Sequence, residues 1–156
     1  MEIISKSVND TMKIGKLIAK NIKAGYIICL FGQLGTGKTV LTKGIAGGLG
    51  IEIKKVISPS FVLIRQHMQG KLTLYHFDLY RLKSPMDILS LGYEEYLFGE
   101  GITVIEWADR LGHLMPKEVL KIDLKLLNNS HRLLKFTASG KRYQELVKKI
   151  HEDIRY

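Results

Sequence analysis

The chain contains one cysteine, Cys29, so no disulfide can close within it, and no cysteine cluster or H-E-x-x-H spacing points to zinc chemistry. Flanked by Ile27, Ile28 and Leu30, that thiol reads as a small buried side chain. Long apolar runs are also missing. The most apolar stretch, Tyr26 to Phe31, is far short of the roughly 20 residues a spanning helix needs. Glu2, Lys6 and Asn9 leave no apolar secretory core at the start, so a cytoplasmic protein without membrane contact is expected. No internal repeat, low-complexity tract or proline-rich linker interrupts the chain. Its 156 residues are therefore expected to form one domain, 1–156, large enough to bury about two thirds of the unfolded surface.

Negative charge is scarce: 24 Lys and Arg face 15 Asp and Glu, giving a net charge of +9. Such an excess suggests nucleic acid, and a non-enzymatic nucleic-acid-binding module is one reading of it. The lysines are scattered, however, with two Lys-Lys pairs (Lys54-Lys55 and Lys148-Lys149) and no basic stripe interleaved with aromatics. A solvated lysine-rich surface explains that pattern at least as well.

What is present is more specific. Gly32-Gln33-Leu34-Gly35-Thr36-Gly37-Lys38-Thr39 is a complete G-x-x-x-x-G-K-T loop placed directly after the Tyr26 to Phe31 run. A strand, a glycine-rich turn and a helix in that order converge backbone N–H groups on phosphate oxygens at a positive helix terminus. Lys38 then reaches the β and γ phosphates, and the Thr39 hydroxyl is a ligand for Mg²⁺. The helix is predicted over Thr39 to Leu49, with Leu41, Ile45 and Leu49 on one face. The motif implies a bound nucleoside triphosphate.

Around the loop, Glu2 to Ser7 reads as a strand, and Asn9 or Asp10 as the cap of a helix carrying Ile14, Leu17, Ile18 and Ile22 inward until Gly25. Phe61 to His67 and Leu72 to Asp78 read as a hairpin about Met68 to Lys71. Ser84-Pro85-Met86-Asp87 starts a helix whose apolar side is Ile88, Leu89 and Leu91. Ile102 to Ile105 has the texture of a strand buried on both faces of a parallel sheet. Alternation through Leu120 to Leu126, a turn at Asn128-Asn129-Ser130 and a return through Leu133 to Phe136 give a half-exposed pair, closed by a helix from Lys141 onward with Leu146, Val147 and Ile150 inward. The sum is α/β: three layers of the P-loop NTPase kind, with a mostly parallel central sheet and antiparallel additions.

A phosphate loop working with Mg²⁺ needs a carboxylate to hold the metal. Glu106 ends the Ile102 to Ile105 strand, where the acid of a Walker B strand belongs, and Asp78 ends Leu72 to Phe77. Either can equally be a cap or a salt-bridge partner. Ser58-Pro59-Ser60-Phe61 is a hydroxyl-bearing turn able to close over a γ phosphate, or simply a turn. Trp107, next to Glu106, reads first as packing; His76, on the same strand face as Asp78, reads as a hydrogen-bonded structural histidine. Arg81 is either an activating cation or the partner of a neighbouring carboxylate.

The phosphate loop, Ser58 to Phe61, Tyr75-His76-Phe77-Asp78-Leu79-Tyr80-Arg81-Leu82 and Val104-Ile105-Glu106-Trp107-Ala108, in that order, closely resemble the TsaE family over roughly residues 1 to 136. This resemblance implies an Mg²⁺-dependent ATPase of tRNA threonylcarbamoyladenosine synthesis, slow alone and dependent on partners. Those partners are a TsaD-like carbamoyltransferase and a TsaB-like companion, with tRNA met only indirectly or weakly. It implies that Lys38, Asp78, Glu106 and Ser60 are catalytic. Thr39 and Glu106 then hold the metal, and Gly32, Gly35, Thr36, Gly37, Lys38, Thr39 and Val40 hold ATP. Thr11 and Arg132 match the positions of the family's nucleoside contacts. Ser60 stands where the commoner motif has threonine, and Ala108 where proline is commoner. A small-molecule or nucleoside kinase shares the loop, but no cluster of arginines here suggests the lid such an enzyme uses.

Overall fold

In the computed structural model, which describes residues 1–155, a seven-stranded sheet has the order β1-β7-β6-β2-β5-β4-β3. Its middle is parallel: β2 (Ile27–Phe31) lies between β6 (Val119–Leu126) and β5 (Ile102–Glu106), and β5 is flanked by β4 (Leu74–Asp78). The flanks are antiparallel, with β7 (Arg132–Ser139) on β6, β1 (Glu2–Ser5) on β7 and β3 (Ile64–His67) on β4. This is the three-layer α/β architecture that the sequence predicts, antiparallel additions included.

Alternation along the central strands explains the three layers. Ile28 and Leu30 of β2, with Ile102 and Val104 of β5, face α1 (Val8–Asn21), α2 (Lys38–Gly48) and α5 (Lys141–Ile154). Ile27, Cys29 and Ile105 face the other way, onto α3 (Pro85–Leu89), α4 (Tyr93–Leu97) and a 3-10 segment at Ala108–Leu114. Each fully buried leucine or isoleucine contributes about 1.5–3 kcal/mol. Cys29 is entirely buried, and that burial pushes its thiol up to about 12, far from any reactive range.

A close backbone contact fixes the phosphate-loop helix. Gly15 of α1 meets Gly44 of α2 so closely that a Cβ on Gly15 would stand 2.5 Å from the Leu41 carbonyl oxygen, and one on Gly44 would stand 2.4 Å from that of Met12. No side chain fits between the helices at this crossing. On the same face Tyr143 of α5 is fully buried, and its hydroxyl accepts a hydrogen bond from the Ile27 N–H at 2.9 Å, tying the last helix to the start of β2.

Several predicted boundaries move, each for a physical reason. Ser7 caps α1, accepting from the Asp10 N–H at 3.0 Å, in place of Asn9 or Asp10, which lie inside the helix. Residues 61–63 do not join β3: Leu63 sits in the left-handed region at φ 66°, and Phe61 and Val62 are exposed. The helix after Ser84 ends at Leu89, and a second short helix, absent from the sequence reading, starts after Gly92. Of the three apolar residues assigned inward there, only Ile88 is buried, while Leu89 is 40% exposed. Among the described residues, no helix is long and apolar enough to cross a membrane.

Candidate active site

β2 runs straight into the loop Gly32 to Gly37, and α2 starts at Lys38. Gly37, the residue before the helix, has φ 102°, a conformation that costs a side chain strain, and a Cβ there would also approach Arg132 Nε to 3.1 Å. Glycine keeps the backbone open towards the cleft. Arg132, from the start of β7, donates from Nε to the Thr36 carbonyl at 3.1 Å, bracing the loop from the far side.

Lys38 is 5% exposed, and its ammonium donates to the carbonyls of Gly32 at 2.6 Å and Gln33 at 2.8 Å. It also lies 4.1 Å from the centroid of the Trp107 ring. Burial pulls this ammonium below the usual lysine range, while Glu106, Asp78 and Asp109 act the other way. Trp107 reaches the position through a left-handed backbone, φ 56°, and its ring packs on Tyr80 at 4.8 Å.

The parallel register sets Asp78 directly beside Glu106 at the carboxyl ends of β4 and β5. Both are 2% exposed. Glu106 Oε2 accepts from the Thr39 hydroxyl at 2.9 Å, and Oε1 accepts from Thr42 at 3.2 Å and lies 2.7 Å from His76 Nε2. His76 is fully buried, and its Nδ1 has no hydrogen-bond partner. With Nε2–H donating, the ring holds Glu106 against α2. Asp78 is equally committed: Ser58 and Ser60 both donate to Oδ2, Ser60 at 3.1 Å, and the Tyr80 N–H donates to Oδ1 at 3.0 Å.

These groups share a cleft of about 380 Å³ lined by Gly35, Gly37, Lys38, Thr39, Val40, Ser58, Ser60, Asp78, Glu106 and Arg132, with Leu34, Tyr80 and Trp107 at its edges. Of the other residues assigned to the site, Gly32 and Thr36 support the loop from behind. The Thr36 hydroxyl donates to the Gln33 carbonyl at 2.9 Å. Thr11 is not brought in: it is fully buried under β1, its hydroxyl taken up by Ser5 at 2.7 Å and the Ser7 carbonyl at 3.2 Å. Arg81 sits 4.1 Å over the exposed Phe61 ring, not against a carboxylate.

Sequence reasoning missed Thr42 and Tyr80 and gave His76 no functional part. Thr42 follows Thr39 by one helical turn, which was the available signal.

A cradle of backbone N–H groups at a helix start, with a lysine inside it, is built for an anion. Beside it stand a hydroxyl and two carboxylates, a hard oxygen set. Among the described residues, no three His, Cys, Asp or Glu side chains form a metal cage of their own.

Comparison with known proteins agrees with this geometry. The family model described as "Threonylcarbamoyl adenosine biosynthesis protein TsaE" matches residues 5–134. The protein of that name from Bacillus subtilis is 40% identical over 147 residues, spanning 93% of this chain and 91% of its own. Its counterpart from Nostoc sp. is 43% identical over 142 residues, covering 88% and 86%. The crystal structure of Bacillus subtilis YdiB superposes with a TM-score of 0.86 at 35% identity, covering 99% of this chain and 95% of the other.

Proposed function

The chain belongs to the TsaE family, and from that premise we propose that it is an Mg²⁺-dependent ATPase serving the formation of threonylcarbamoyladenosine in tRNA, working with a TsaD-like carbamoyltransferase and a TsaB-like companion. One observation carries the reading: Glu106 and Asp78 stand side by side at the sheet edge facing the phosphate loop, with Glu106 already bonded to Thr39.

The residues present fit ATP and Mg²⁺. Lys38 uses its donors on loop carbonyls that offer no charge, so a β or γ phosphate oxygen is a better acceptor. Gly35, Gly37, Lys38, Thr39 and Val40 would hold the phosphates, with Gly32 and Thr36 shaping the loop and Arg132 at the nucleoside side. Thr39 and Glu106 would hold the metal, a small ligand set that suits Mg²⁺ shared with phosphate. When bound, Mg²⁺ neutralises charge on the phosphate oxygens.

The protein's own part is positional. Lys38 and the loop N–H groups face the charge that spreads over the departing phosphate. Asp78 orients the attacking water, and Ser60 lies on the turn that closes over the γ position. His76 and Thr42 keep the Glu106 carboxylate aimed at Thr39.

Slow turnover in isolation follows from what Asp78 is doing. Oδ2 already accepts from both Ser58 and Ser60 and Oδ1 from the Tyr80 N–H, so these bonds compete with a water for the carboxylate, and release of the two serines strengthens its hold on that water. A partner that moves the Ser58 to Leu63 segment frees that carboxylate. The test is an ATPase assay of the purified chain with and without the two partner proteins, repeated with Glu106→Ala. The rate should be low alone, rise with both partners and vanish in the variant. Unassisted turnover at the rates of ordinary metabolic enzymes, on the order of 10 per second, overturns partner dependence.

A further inference from the structure

A second hollow, larger than the catalytic cleft, lies elsewhere on the molecule. It is a groove of about 610 Å³ along β3, the edge strand, lined by Lys54, Lys55, Arg65, His67, the glutamines 66 and 69, Ile57 and Met68. Lys54 also lines an adjoining cleft of about 500 Å³ reached by Lys16 of α1 and containing Glu52. The two hollows make one continuous face. It shares no lining residue with the catalytic cleft.

Charge on this face is one-sided. Lys16, Lys54, Lys55 and Arg65 are exposed and meet one carboxylate, Glu52, which pairs with Lys55 at 3.2 Å. Lys13 and Lys20 flank Lys16 along α1 at helical spacing, both exposed, Lys20 pairing with Asp153 at 3.1 Å. Between the cations the floor is apolar: Ile57 is 50% and Met68 72% exposed. The His67 ring lies alongside, its Nε2 enclosed without a hydrogen-bond partner. Among the described residues β3 pairs only with β4, leaving its outer backbone groups without a strand partner.

Cations spaced along a groove match a phosphodiester backbone. Exposed apolar side chains between them offer van der Waals contact to an unstacked base, and the neighbouring amide and imidazole groups offer it hydrogen bonds. We infer that this face binds RNA, with Lys16, Lys54 and Arg65 contacting backbone phosphates and Ile57 and Met68 seating a base. Choosing RNA over other polyanions rests on the reading that the chain serves tRNA modification; the groove itself does not.

The experiment is fluorescence anisotropy with a labelled unmodified tRNA transcript and the full chain, titrated at several salt concentrations. Lys16→Glu/Lys54→Glu/Arg65→Glu is compared with Lys141→Glu/Lys148→Glu/Lys149→Glu, an equal change of charge placed on α5. The groove triple should weaken binding at least about tenfold and flatten the salt dependence by roughly 2 to 3 in logarithmic slope, near 0.7–0.9 per lost phosphate contact. The α5 triple should shift affinity less than about twofold. Equal losses from both triples, or no binding by the unaltered chain at about 50 mM salt, overturn the inference. So does equal competition by polyglutamate or anionic phosphatidylserine vesicles, which assigns the face to acidic proteins or lipid. ATP binding by the groove triple shows that it is folded. Lys38→Ala, losing nucleotide but keeping RNA, separates failure of this inference from failure of the ATPase reading.

Discussion

The catalytic cleft and the β3 groove are both rich in charge, yet they treat it in opposite ways. In the cleft Lys38, Asp78 and Glu106 are at most 5% exposed, and every one is bonded to a named group of the chain. In the groove the cations stand in solvent, with one carboxylate among them. Burial makes a charge expensive to misplace and its direction specific, which suits chemistry on one bond. Exposure makes each charge weak and replaceable, which suits adhesion to a repeating polyanion. Large effects from single residues should therefore be confined to the cleft.

Glu106→Gln gives the sharpest test of that division. It keeps the side chain's shape and removes the charge, and should lower the ATPase kcat by at least about a hundredfold in the partner-stimulated assay. tRNA affinity should stay unchanged in the same preparation. A comparable loss at a single groove lysine would break the comparison.

His76 comes next. His76→Ala removes the bond that steadies Glu106 and should cost about 10–100-fold in activity, the usual range for a group supporting a metal ligand. His76→Gln offers an amide N–H in place of Nε2 and should restore part of kcat with KM for ATP little altered. Identical kcat for the two variants would reduce His76 to packing.

Salt separates the regions without mutation. Between about 50 and 200 mM salt, tRNA affinity should fall at least about tenfold with three or more phosphate contacts. The KM for ATP should move by less than about twofold, because buried pairs are poorly screened.

The smallest expected effect, and the only gain, is at Ser58. Ser58→Ala withdraws one of the two hydroxyls on Asp78 Oδ2 and should raise the unstimulated ATPase rate about two- to fivefold, roughly the rate equivalent of one modest hydrogen bond. A fall instead would mean that the hydroxyl serves the reaction directly.

What could be read from the sequence tracks how local the determining interaction is. The phosphate loop, its helix and the end positions of Asp78 and Glu106 follow from spacing along one or two elements. The roles of His76 and Thr42 do not, because both act through Glu106, 30 and 64 residues away in the chain. Thr11 resembles a family position by likeness alone, and nothing in the local pattern reveals that β1 covers it. Phe61 to Leu63 looks like strand, but Leu63 is left-handed, which breaks the extended run although its carbonyl still accepts from the Asp78 N–H at 3.0 Å. The basic face was invisible for a similar reason: Lys16, Lys54, Lys55 and Arg65 belong to a helix, a 3-10 turn and a strand that only the fold assembles.

The backbone contact at Gly15 and Gly44 joins these two regions mechanically. Between most helices a layer of side chains absorbs small displacements by changing rotamer; here that cushion is missing. Any movement of α2 as the phosphate loop fills is handed directly to α1, whose outer surface carries Lys16.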